Sequence, residues 1–213
     1  MKVTPSHGLE VVTPKRFRQR DIDAFIHANQ SWIEKQLHVL QEMRVKHQRP
    51  SQIKLRALQE DWTWHVIPMQ ASRIRTVEKP DFQLAMMGPI DDEKIQKKYF
   101  MQWLRKKAKN YLLPLLDELS QTTQLPYATA SVRAQTSRWG SCSENKTVSL
   151  NCKLLFLPDS VVRHVLLHEL CHTVHLNHSR DFWQLLQSLD SRSHQHRLQL
   201  KTAQQLVPQW LEI

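Results

Sequence analysis

From Arg163 the chain runs His164-Val165-Leu166-Leu167-His168-Glu169-Leu170-Cys171-His172-Thr173-Val174-His175-Leu176-Asn177-His178, and no other stretch restricts the fold as strongly. His168 and His172 are four residues apart. On a helix such residues stand one above the other, so both imidazoles reach one metal ion. Glu169 lies one position further round. From there its carboxylate reaches a metal's water-filled position without being a ligand itself. Val161, Val162, Val165, Leu166 and Leu170 give this helix a buried side, and rigid support is what a catalytic metal needs.

A third ligand is required, and two histidines compete for the place. His175 follows His168 by seven residues. On a continuing helix it would lie about 10 Å further along the axis, too far for a bond of about 2 Å. His178 is the better candidate, provided that the helix stops first. Asn177 tolerates the left-handed conformation that ends helices, and Ser179 with Asp181 would start the next one. The pair His164 and His168 has the same four-residue spacing but lacks the glutamate beside it. If the metal were structural instead, His164, His175 or Cys171 would fill a fourth position.

The remaining sequence frames this segment. Its 213 residues suit one globular domain or two small ones, and 40% hydrophobic with 23% charged residues is a globular composition. Asp21 is expected to cap an amphipathic helix to about residue 46, with Ile22, Phe25, Ile26, Trp32, Ile33 and Leu37 on its apolar side. Residues 52–87 alternate in short runs and are expected to form a small antiparallel meander that ends at Gly88-Pro89. Asp91 and Asp92 open a second long, lysine-rich helix, which Pro114 should kink or end. Residues 129–136 and 147–152 are expected to pair as strands, and Pro158 to sit in the first turn of the His168 helix. The fold class is therefore α+β. Its expected divisions are residues 1–90, a strand-helix-meander region within one compact unit, and residues 91–213, the metal-binding region.

Neither a signal peptide nor a transmembrane run is found, and three cysteines, Cys142, Cys152 and Cys171, suit a reducing compartment. A cytoplasmic protein is expected. The formal net charge of +10 points to an anionic substrate or to association with nucleic acid, although a solvated basic surface also accounts for it.

The run Arg133-x-Gln135-x-x-Arg138-Trp139-Gly140-Ser141-Cys142-Ser143, with Ser149-Leu150-Asn151, the His168 to His172 motif, Asn177-His178-Ser179 and Phe182-Trp183, resembles the YgjP-like metallopeptidase family. The motifs cover residues 130–185, and weaker similarity extends over most of the chain. The resemblance implies a zincin-type core, a small sheet beside the helix that carries the histidines. It implies a zinc ion held by His168, His172 and His178, with Glu169 as the base. SprT-like proteases are more distant relatives. Peptide hydrolysis is one implied activity, and release of pyrophosphate from UTP is the other, so the substrate is a peptide or a nucleotide.

Around this centre Arg138 is expected to hold a developing oxyanion or a phosphate, with a salt bridge to Glu144 as its structural alternative. Arg133 and Asn151 are the other candidate substrate contacts. Gly140 is expected to supply a turn that other residues resist. Cys142 and Cys171 are expected to pack, Phe182 and Trp183 to form core beneath the metal loop, and His194 and His196 to lie on the surface.

Overall fold

The structure is a computed structural model that describes residues 2–4, 8–10, 19–46, 49–90 and 92–211. The chain falls into two compact units, Met1–Arg49 with Ile213 and Pro50–Glu212. The sequence draws its line at residue 90, after the meander; the units divide before it.

In the first unit β1 (Lys2–Thr4) pairs antiparallel with β2 (Gly8–Glu10). The expected single helix is broken in two, α1 (Gln19–Ala28) and α2 (Gln30–Lys46). Asn29 interrupts it by donating from its side chain to the Phe25 carbonyl at 2.8 Å, a local bond that competes with helix continuation. Asp21, expected as the cap, lies inside α1.

The second unit opens with a four-stranded sheet of β3 (Gln52–Leu55), β4 (Glu60–Pro68), β5 (Arg75–Lys79) and β6 (Gln83–Gly88), in the order β3-β4-β6-β5. It is not the antiparallel meander expected, because β4 and β6 run parallel. The burial of the two later strands explains the order. β6 buries Leu84, Ala85 and Met86 in succession and takes an interior place, whereas β5 is mostly exposed and takes the edge.

Helix α3 (Glu93–Thr123) is capped by Asp92, whose carboxylate accepts from the Lys94 amide at 2.8 Å. Asp91 lies outside the described residues. The helix does not end at Pro114 but continues to Thr123. A mid-helix proline costs about 3 kcal/mol. Leu112, Leu115 and Leu116 are buried around it, and each such side chain returns about 1.5–3 kcal/mol. Trp62, Trp64, Phe100, Trp103 and Trp210 pack ring on ring between α3 and the first sheet.

A second sheet has the order β7-β9-β8. β7 (Thr129–Arg133) and β9 (Thr147–Asn151) pair as expected, in parallel. The connection between them contains a further strand, β8 (Gly140–Cys142), antiparallel to β9 and at the sheet edge. Three residues are too few to alternate legibly. Helix α4 (Asp159–Cys171) follows, with Pro158 as its N-cap residue just outside the first turn, and then α5 (Arg180–Leu189) and α6 (Ser193–Thr202). α4 packs against β8, α3, α5 and α6. No helix among the described residues is long and apolar enough to cross a membrane.

Candidate metal centre

His168 projects from the last turn of α4, and His172 is the residue at its C-cap. The helix stops there because the next amides turn back: Thr173 donates to the Leu170 carbonyl, and Val174 and His175 both donate to that of Cys171. No left-handed residue is used, contrary to the role expected of Asn177. Asn177 instead accepts from the Ser179 amide at 3.2 Å through its side chain, and Ser179 caps α5 by accepting from Phe182.

This turn brings His178 back to the helix end. Its Nε2 lies 3.0 Å from Nε2 of His168, which lies 3.2 Å from Nε2 of His172. His172 holds its other nitrogen, Nδ1, 2.9 Å from the His175 carbonyl. A carbonyl only accepts, so Nδ1 carries the proton and Nε2 offers a lone pair. Burial, then the neighbouring His172 and His178, push His168 down to about 3. Burial also lowers His172, with the His175 carbonyl opposing it. Three imidazole nitrogens that converge this closely are a donor set that fits a metal with an affinity for imidazole.

Glu169 is buried. Burial pushes its carboxyl up to about 7, against the opposing pull of Arg138. Gly140 gives it room: a Cβ there would lie 2.6 Å from Glu169 Oε1. Gly140 therefore serves close approach within β8, not the turn expected of it, and its φ is not positive.

The other expected residues surround this group. Arg138 is exposed, and among the described residues it forms no ion pair with Glu144. Arg133 is exposed at the end of β7. Asn151 is buried and donates to the carbonyls of Gln135 and Arg138 at 3.0 and 2.8 Å, while accepting from the Lys153 amide. Its side chain fixes the path of the Arg138 loop. A cavity of about 260 Å³ lies here, lined by Thr136, Ser137, Arg138, Trp139, Asn151 and Gln204. Cys171 is fully buried, with its thiol pushed up to about 12 by burial.

Phe182 is core as expected, and its ring lies 4.6–4.9 Å from all three imidazoles. One network was missed. His196 is not on the surface: it and His164 are buried and both donate from Nδ1 to the same Asp190 oxygen, at 2.8 and 2.7 Å. This ties α4 to α6 through the end of α5. The four-residue step from His164 to His168 hinted at a shared helix face, but nothing local pointed to Asp190.

Comparison with known proteins gives a family and a solved structure that resemble this chain. The profile of a family described as "YgjP-like, metallopeptidase domain" matches residues 1–203. Among solved structures, the crystal structure of the metallopeptidase zymogen of Pyrococcus abyssi abylysin is similar, at 20% identity and a TM-score of 0.38, over 42% of this chain and 93% of that one. No curated protein matches the chain with significance.

Proposed function

This chain belongs to the YgjP-like metallopeptidase family, and on that premise we propose that it hydrolyses peptide bonds, with one zinc ion held by His168, His172 and His178 and with Glu169 as general base. The observation that carries this reading is the convergence of three Nε2 atoms at the end of a helix that also carries a buried carboxylate against an edge strand. When bound, zinc supplies Lewis-acid activation of a water and of the scissile carbonyl. Glu169 takes the proton of the attacking water and passes it to the leaving amine. The β8 edge offers main-chain groups to an extended peptide. Arg138 faces the developing negative charge, Asn151 holds the Arg138 loop in place, and Arg133 contacts substrate further out.

Hydrolysis of a nucleotide such as UTP on the same centre is the competing reading. It needs several cations converging on the site, whereas among the described residues Arg138 is the one whose charge acts on Glu169. The deciding experiment compares peptide and UTP turnover for wild type and Glu169→Gln. The variant is expected to keep its zinc and lose about 10²- to 10⁴-fold in peptide turnover. Undiminished activity in that variant removes Glu169 as base, and UTP turnover without peptide turnover replaces the peptide reading.

A further inference from the structure

His168 and His172 are fixed by the end of a buried helix. His178 has no such support: it is exposed, on an irregular turn, and two side-chain torsions set where its ring points. A freely rotating ligand would lose this freedom on binding metal, at a cost in affinity. The ring is nevertheless held. It stacks on the indole of Trp183, with centroids 5.4 Å apart and planes 22° from parallel. Trp183 sits on the first turn of α5, which Ser179 caps. The Arg197 guanidinium from α6 lies over the same indole, 4.8 Å from its centroid.

We propose that Trp183, steadied by Arg197, is a positioning residue that orients the His178 ring for metal binding. The inference rests on the three-histidine metal reading. Bulk alone does not account for the arrangement, because Phe182 already fills the space beneath all three imidazoles and is fully buried, whereas Trp183 is only partly so. Near-parallel stacking is also the geometry that favours a metal-bound imidazole. Such a ring carries partial positive charge, and the indole face is electron-rich. The stack therefore strengthens when the metal arrives and favours the loaded state.

The test uses the full chain and titrates zinc against a chromophoric chelator for wild type, Trp183→Leu and Trp183→Phe. Supporting readouts are the cobalt-substituted absorption spectrum and the melting temperature of the metal-free proteins. Trp183→Leu is expected to weaken zinc binding about 10- to 100-fold and to shift the cobalt bands, with metal-free melting unchanged. Trp183→Phe keeps an aromatic face and should recover most of the affinity. Wild-type affinity in Trp183→Leu overturns the proposal, as does equal loss in both variants, which would assign the effect to packing. Absence of zinc from the wild type would instead remove the metal reading itself.

Discussion

A single methyl group at position 140 would collide with the Glu169 carboxylate, and the backbone there has nowhere to retreat without breaking the β8 pairing to β9. On the proposed metal reading, Gly140→Ala is therefore expected to bind zinc as the wild type does, since no candidate ligand moves, and to lose about 100-fold in turnover, the usual scale for a displacement of about 1 Å at a reacting group. Metal counting and steady-state kinetics on one preparation check both halves. The His164–Asp190–His196 network sets a pH dependence of stability. Burial holds His164 below its ordinary 6.5, with Asp190 pulling the other way without overcoming it. The unfolded chain then binds the extra proton first, so stability declines as pH falls below about 6.5. For Asp190, burial alone would raise the carboxyl, but the hydrogen bonds from His196 and His164 hold it below its ordinary 3.8, and its share is lost below that pH. Urea unfolding at pH 7.5 and 5.5 should show a drop in wild type that shrinks in His164→Gln. An equal drop in both would remove His164 as the source. At this scale the sequence was informative where spacing carries the meaning. The convergence of His168, His172 and His178 follows from helix geometry and one turn. The closeness of Gly140 to Glu169 and the buried place of His196 arise from contacts across the fold, so no local pattern announces them.

Elements were legible in proportion to their length. The long apolar periodicity of α3 reads clearly, as does the α4 pattern. Strand order does not, because β4 and β6 meet across the whole β5 excursion and pairing is decided by which strand has both faces to bury. Pro114 illustrates the same limit: local rules kink or end the helix there, and burial of neighbouring leucines carries it through to Thr123. The proline remains a local defect on an exposed position. Pro114→Ala restores an amide for the preceding turn and should stabilise the protein by about 1–3 kcal/mol. That corresponds to a rise in melting temperature of roughly 2–4 °C per kcal/mol for a chain of this size. An unchanged or lower melting temperature would mean that the helix is adapted to its proline.

For the molecule as a whole, the candidate metal centre and the hydrophobic core are largely separate sources of order. Core side chains such as Leu104, Leu112, Leu116, Leu150 and Leu166 are fully buried, and the candidate ligands span only His168 to His178. Stripping the metal with a chelator is therefore expected to lower the melting temperature, by the linkage between binding and folding, while leaving the far-ultraviolet circular dichroism of the folded protein unchanged. Loss of helix signal on stripping would show that the metal holds more than its own loop. One feature of that loop bears on how this chain tolerates change. The group that orients His172 is the main-chain oxygen of residue 175, and every amino acid carries that atom. Position 175 is thus open to any residue but proline, which would lose the amide bond to Cys171, whereas the number of residues between His172 and His178 is not open to change. A one-residue insertion or deletion there would shift the carbonyl and the third imidazole together, so the segment is permissive in letters and strict in length.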